Sequence, residues 1–187
     1  MLLSVVSVSS RRPFFKALVS RTGRYFSQVS AAQKRGAPIE VHPEVQEALA
    51  TNQPVVALET AVVTHGLPYP DNINLAMSLE TIVRSTGSIP ATIGFIGGQV
   101  KIGLEKQDLE RLATKDTDAA KISRRDIGAA IALKADGGTT CSTTLIFAAL
   151  AGIKIFATGG YDPIRIALTN TAHQHQARRS PPWRREQ

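Results

Sequence analysis

The chain has 187 residues, of which 43% are hydrophobic, so it is long enough for one ordinary domain with its own core. Its single cysteine, Cys141, excludes an internal disulfide and a zinc site built on cysteines, and it favours a reducing compartment over secretion. The net charge of +7 is confined to the ends: residues 1–39 hold seven Lys/Arg and no acid, whereas residues 40–160 hold ten Lys/Arg against thirteen Asp/Glu. A nucleic-acid-binding surface on the central part is therefore not supported.

The first 38 residues are rich in Ser and Arg and contain no acid, a composition typical of a mitochondrial transit peptide. A secretory signal fits poorly, because the arginines follow the apolar stretch instead of preceding it. That stretch is also too short to span a bilayer. We predict that residues 1–38 are a disordered transit peptide and that the protein is mitochondrial; the alternative is a disordered basic tail.

Strand and helix patterns alternate through residues 39–160, which predicts an α/β domain with a mostly parallel sheet. The buried strand PVVAL comes first, and the Gly- and Pro-rich loop GLPYPDN follows it. The later predicted elements are a helix over 72–85, a hairpin from ATIGFI through Gly97-Gly98 to GGQVKIGL, a helix over 105–114, a strand AAKIS, a helix over 124–135, an apolar helix closed by Gly152, and a strand IKIFAT.

Glu59 ends the first predicted strand, and His65 lies in the loop that follows. In open α/β sheets ligands bind outside the carboxyl ends of the strands. A carboxyl group held partly out of water there can donate a proton. Alternatively, Glu59 caps backbone N–H groups of the loop. His65 could titrate near neutrality, although a lone loop histidine is more often structural.

Two further segments favour binding of an anion. Lys121–Asp126, KISRRD, groups three cations at a strand-to-helix junction, where Lys121 could contact a phosphate as a point charge. The alternative is an exposed helix start. Gly137–Thr144, GGTTCSTT, combines small residues with hydroxyl donors that include Thr139 and Thr140 and precedes a helix N-terminus. The alternative is a Thr-rich helix cap, and Cys141 could contribute only its backbone N–H.

Four collinear segments resemble the pseudouridine-5′-phosphate glycosidase family, also called the indigoidine-synthase-A-like family. They are ALETAVVTHGLPYPDN, PATIGFIGGQVKIGL, KISRRD and GGTTCSTTLIFAALAGIKIFATGG, and the likeness runs from about Glu40 to Gly160. The resemblance implies an α/β/α fold, a homotrimer and a manganese ion. It also implies reversible cleavage of the C–C glycosidic bond of pseudouridine 5′-phosphate to uracil and ribose 5-phosphate. From the charge distribution and the short apolar stretch we expect no nucleic-acid or membrane partner.

The resemblance also implies roles for three residues. Glu59 matches the proton donor, Lys121 matches a substrate-binding lysine, and Cys141 matches a substrate-contacting position at which the family commonly has valine. The family's metal-binding aspartate, its nucleophilic lysine and a late asparagine cannot be placed. Asp162 lacks the right context, and no lysine follows Lys154.

After Gly160 the sequence departs from the family pattern, and residues 161–187 read as a divergent basic tail that we expect to be disordered. Residues 39–160 would then be a partial glycosidase domain with an incomplete sheet, from a truncated or alternatively spliced product. An inactive chain is one expectation. The alternatives are a non-catalytic subunit that joins or inhibits full-length trimers and an unstable product without a function.

Fusing residues 1–38 to a fluorescent reporter tests the transit peptide. We expect mitochondrial fluorescence and removal of the segment, because seven cations without an acid form an import-competent segment. The control replaces the arginines among them by glutamine. A reporter that stays diffuse in the cytosol would contradict the prediction.

Overall fold

The computed structural model describes residues 28–114 and 118–158. Its strands are β1 (Ile39–Val41), β2 (Val55–Leu58), β3 (Ile89–Ile96), β4 (Gln99–Ile102), β5 (Ala120–Ile122), β6 (Gly137–Thr139) and β7 (Ile155–Ala157). Its helices are α1 (residues 28–34), α2 (Pro43–Ala50), α3 (Ala61–His65), α4 (Asp71–Ser85), α5 (Lys106–Ala113), α6 (Ile127–Ala132) and α7 (Cys141–Ala151). A single 3₁₀ turn, Arg124–Asp126, precedes α6.

Strand β3 is the centre of the sheet, because its two edges carry three neighbours. On one edge it pairs antiparallel with β4, which β1 extends in parallel. On the other edge its first half pairs parallel with β2, and its second half pairs antiparallel with β6. Strand β7 extends β2 and β5 extends β6, both in parallel, so parallel pairs outnumber antiparallel pairs as predicted.

Helices cover both faces of the sheet, which makes the fold an α/β/α sandwich. The alternating side chains of β3 show this directly. Ile93 and Phe95 belong to the larger core cluster, which contains residues of α2 and α7, and the Phe95 ring packs edge-on against Phe147 at 5.8 Å. The opposite face at Gly94 meets Leu104 and Leu112 of the second cluster, to which α3, α4 and α5 contribute.

The strongly patterned elements agree with the sequence prediction. Strand β2 is buried at all four positions, the β3–β4 hairpin turns at Gly97-Gly98, and α7 ends at Gly152 in the left-handed conformation. The sequence reading missed β1, α2, α3 and β6. These elements are short, or they lack the apolar periodicity on which the prediction depended.

The described residues begin at 28, inside the segment 1–38 that we predicted to be a transit peptide. Residues 28–34 are helical, and Val29 is buried in the larger core cluster. Lys34 and Arg35, which belong to the basic pattern, are exposed at the end of this helix. The transit peptide predicted from composition, residues 1–38, therefore includes residues that pack in the fold. The predicted tail, residues 161–187, lies outside the described residues.

An ion pair connects the two helical layers at the edge of the molecule. Arg84 of α4 donates to both carboxylate oxygens of Glu44 of α2, at 2.5 and 2.8 Å. This hydrogen bond lowers the pKa of Glu44 and raises that of Arg84. Both side chains are partly exposed to water, so the pair adds little to stability. None of the described helices is both long and apolar enough to cross a membrane.

Candidate functional site

The carboxyl ends of β2 and β6 meet beside β3. Strand β2 runs parallel to β3 and β6 runs antiparallel to it on the same edge, so the two strands approach each other head-on. Their ends are joined by a hydrogen bond from the Thr60 N–H to the Thr139 carbonyl oxygen at 3.3 Å. Helices α3 and α7 begin immediately after these strand ends. The junction therefore gathers two strand ends and two helix N-termini, the kind of place where α/β proteins bind ligands.

Buried threonines hold this junction together. Thr60 and Thr139 are both fully buried, and each donates its hydroxyl to the Ile93 carbonyl oxygen at 2.7 Å. The Thr139 N–H donates in turn to the Thr60 hydroxyl at 2.9 Å. Thr144 lies 2.9 Å from the Thr139 hydroxyl, and Thr143 donates to the Ile122 carbonyl oxygen. These bonds satisfy polar groups that would be costly to bury without partners.

Glycines allow β6 to lie this close to its neighbours. A Cβ at Gly138 would collide with the Thr64 hydroxyl and the Thr60 carbonyl group, and a Cβ at Gly137 would collide with Ile122. Just before them, Asp136 accepts the Gly97 N–H at 2.7 Å and the Arg111 guanidinium at 2.7 and 3.0 Å. The start of the Gly137–Thr144 segment, called the Gly-Thr segment below, is thus fixed to the β3–β4 turn and to α5.

The structure brings two of the predicted site residues into contact. Glu59 follows the last residue of β2, Cys141 is the first residue of α7, and both are partly buried. The Cys141 Sγ atom lies 3.2 Å from Glu59 Oε2 and is positioned to donate its proton to the carboxylate. Burial keeps the Glu59 carboxyl group partly out of water at the junction, which suits it to proton transfer with a ligand bound there.

The predicted hydroxyl donors differ in their placement. Thr140 is partly exposed, and its hydroxyl lies 3.1 Å from that of exposed Ser142 in the first turn of α7. Its backbone N–H donates to the Ile122 carbonyl oxygen, which joins α7 to β5. Thr139, in contrast, has its hydroxyl and N–H bonded inside the protein. The substrate contact predicted for Thr139 stays a prediction.

The cations lie on the strand next to this loop. Lys121 is exposed on β5 and stands in register with Gly138 of β6, and residues in register point to the same face of a sheet. That face carries α3, because Gly138 faces Thr64. Ser123, Arg124, Arg125 and Ser142 line an open depression at the end of β5. His65, predicted to lie in a loop, is instead the exposed last residue of α3, where its Nδ1 lies 2.7 Å from the Thr64 hydroxyl.

The described residues do not supply a manganese site. Within 28–114 and 118–158, no group of three or more His, Cys, Asp or Glu side chains comes close enough together to hold a metal ion. Glu59 is a carboxylate at the junction, but its neighbour Cys141 is a thiol, a ligand type that Mn²⁺ does not prefer. We therefore assign no metal role to the residues of this site.

Sequence reasoning missed Thr60 and Thr144 as structural parts of the site. Thr60 directly follows Glu59, and its polar side chain at the end of an apolar strand was a usable signal for a buried hydrogen bond. Thr144 lies one turn after Thr140, the spacing at which a helical hydroxyl bonds back to a carbonyl oxygen; it does so at 3.0 Å.

The fold and this site define an α/β protein with a carboxylate and a Gly-Thr loop at one strand junction. The family model described as "Indigoidine synthase A like protein" matches residues 44–169, and the chain belongs to this family. The match confirms the resemblance found in the sequence. It also extends nine residues past Gly160, the position at which the resemblance was predicted to end.

Curated relatives support the assignment. The pseudouridine-5′-phosphate glycosidase of Staphylococcus aureus MW2 is 55% identical over 133 residues, which are 71% of this chain and 43% of that protein. The Escherichia coli K12 protein of the same name is 47% identical over 133 residues, with the same coverage of both chains. This chain thus spans less than half the length of the curated relatives it matches.

Two solved structures share the fold. The prealnumycin C-glycosynthase AlnA, crystallised with ribulose 5-phosphate, superposes with a TM-score of 0.58 and 41% identity, over 65% of this chain and 39% of that one. An indigoidine synthase A-like protein of Thermotoga maritima MSB8 gives a TM-score of 0.58 and 31% identity, over 66% of this chain and 40% of that one. Both confirm the α/β fold class.

Replacing Thr60 by Val tests whether the threonine network holds the junction. The change keeps the side-chain shape but leaves the Thr139 N–H without its buried acceptor, so we expect a loss of about 1–3 kcal/mol in the free energy of unfolding. Thr81→Val is the matched control, since the Thr81 hydroxyl bonds the Met77 carbonyl oxygen on the exposed side of α4. Equal stability of the two variants in urea would contradict this role of Thr60.

Proposed function

We propose that this chain carries the proton-donor and phosphate-binding part of a pseudouridine-5′-phosphate glycosidase. The reaction is the reversible cleavage of the C–C glycosidic bond of pseudouridine 5′-phosphate to uracil and ribose 5-phosphate. The names of the curated relatives support the reaction class. The observation that carries the proposal is the Glu59 carboxyl group at the junction of β2 and β6, next to the first residue of α7.

Glu59 supplies the proton that this reaction requires. When the bond between the ribose C1′ and the uracil C5 breaks, its electron pair stays on the base, and C5 must gain a proton. A carboxylic acid at a partly buried position can deliver that proton without a competing network of bulk water. Its position after a fully buried strand fixes the backbone from which the carboxyl group reaches the substrate.

The phosphate of the substrate binds at the start of α7. The first turn of a helix favours negative charge, and the Thr140 and Ser142 hydroxyls lie within that turn. Lys121 on the neighbouring strand adds a positive charge. A relative with the same fold was crystallised with ribulose 5-phosphate, a sugar phosphate of the size of the proposed product.

Other parts of the family's reaction have no counterpart that we can assign here. The resemblance implies a lysine that attacks the ribose and a manganese ion. No lysine follows Lys154 in this chain, and the described residues form no metal cluster. No step of the proposal depends on manganese.

A second candidate is a non-catalytic subunit that joins or inhibits trimers of a longer relative. Exposed apolar side chains on the α3–α4 segment favour it, because Leu67, Tyr69, Met77 and Ile82 are each at least 40% exposed. In either case we propose a mitochondrial location, which rests on the composition of the N-terminal segment.

The 187-residue chain alone should not cleave pseudouridine 5′-phosphate. Without the lysine nucleophile the rate should fall by a factor on the order of 10⁶, as it does when a nucleophile is removed from a catalytic unit. Release of uracil is measured by chromatography, with Glu59→Gln as the blank and the E. coli relative as the positive control. Uracil release that depends on Glu59 would contradict the prediction and indicate a substitute nucleophile.

Ribose 5-phosphate should nevertheless bind. We expect a dissociation constant of about 1 mM, or −4 kcal/mol, because helix-terminal N–H groups and one lysine hold a phosphate only weakly. Calorimetric titration checks this, with ribose as the ligand lacking a phosphate.

Lys121→Ala should weaken this binding, and salt should weaken it further because Lys121 is exposed. The matched control is Lys106→Ala, which removes an exposed lysine from α5. Equal responses to ribose and to ribose 5-phosphate would count against the phosphate site and the proposed function.

A further inference from the structure

The contact between Cys141 and Glu59 joins side chains that are 82 residues apart in the sequence. A carboxylate has no proton to donate, so the thiol is the donor of this hydrogen bond when Glu59 is ionised. The 3.2 Å separation lies well within the range for a bond to sulfur. Both groups are partly buried, which limits competition from water.

The backbone on both sides of this contact is held in place. Thr60, which follows Glu59, is bonded to Ile93 and Thr139. Thr140, which precedes Cys141, is bonded through its N–H to the Ile122 carbonyl oxygen. With the neighbouring backbone held, the hydrogen bond from Sγ favours the orientation of the carboxyl group that brings Oε2 to Cys141.

We propose that Cys141 is a positioning residue for Glu59 and that chemical modification of its thiol disturbs the Glu59 site. A group attached to Sγ would occupy the space next to Oε2 and displace the carboxyl group from the junction. Charged and titratable groups of the surrounding elements are Lys121 on β5, His65 at the end of α3, and Arg124, Arg125 and Asp126 in the 3₁₀ turn. The description of Glu59 as a proton donor rests on the proposed function, whereas the contact does not.

Cys141 is the only cysteine, so thiol chemistry of the whole chain reports on it alone. The experiment measures the rate of alkylation by iodoacetamide from pH 6 to 9, by mass spectrometry, in the wild type, Glu59→Gln and Glu110→Gln. Only the thiolate reacts, and a neighbouring carboxylate disfavours it. Removing that charge should raise the thiolate fraction about tenfold, and the lower nucleophilicity of a more acidic thiol reduces the gain in rate to about threefold.

We expect the Glu59→Gln profile to move to lower pH and the Glu110→Gln profile to match the wild type, since Glu110 is an exposed residue of α5 that pairs with Lys106. Identical profiles for Glu59→Gln and the wild type would overturn the proposal. If Glu59→Gln does not fold, the infrared S–H band of the wild type decides. A band below that of free cysteine that rises when acid protonates the carboxylates supports the pair, and a band that acid does not move overturns it.

A second arm separates this proposal from the proposed function. Ribose 5-phosphate at 10 times its dissociation constant should slow alkylation of the wild type, because Cys141 begins the helix that binds the phosphate. A shifted Glu59→Gln profile without protection by ribose 5-phosphate would support the pair and contradict the proposed function. Protection by ribose 5-phosphate without a shifted Glu59→Gln profile would contradict the Cys141–Glu59 pair and support the proposed function.

Discussion

The hydrogen bonds of Thr60 and Thr139 are the constraint on which the rest of the site depends. Two strands that run head-on along one edge of β3 leave backbone groups at their ends that no regular ladder can pair. The two hydroxyls solve this by donating to one carbonyl oxygen, that of Ile93, while the Thr139 N–H donates back to Thr60. A serine could make similar bonds, but the β-branched threonine also fills the space between the strands and restricts its own rotamer.

This junction determines which side chains meet. The carboxyl ends of β2 and β6 meet there. Glu59, which follows β2, and Cys141, the first residue of α7, therefore approach each other, and their side chains are in contact. The glycines of β6 are part of the same geometry, since a Cβ at Gly138 would push β6 away from Thr60 and Thr64. The Glu59 carboxyl group, the Cys141 thiol and the N-terminus of α7 are thus brought together by backbone packing rather than by attraction between the functional groups themselves.

Strong local sequence signals made part of the fold predictable. The apolar run of β2, the glycine pair of the β3–β4 turn and the closing glycine of α7 each carry a local signal. Strand β6 has no such signal, because Gly-Gly-Thr is typical of a loop and becomes a strand only through pairing with β3 and β5. The sequence therefore placed Glu59 at a strand end and the Gly137–Thr144 segment at the start of a helix. It could not place them in contact, since that depends on the antiparallel direction of β6.

The hydroxyl-rich segment shows why composition alone overstates binding. All its hydroxyls count equally as phosphate ligands in the sequence, yet the structure divides them by burial. Thr139, Thr143 and Thr144 are fully buried and bonded to protein atoms, whereas Thr140 and Ser142 remain at the surface of the first turn of α7. The buried threonines hold the loop in place through bonds to protein atoms, and the outer two hydroxyls lie on this supported backbone. Under the proposed function, such support would lower the entropy lost on phosphate binding, so the buried hydroxyls would aid binding without touching the ligand.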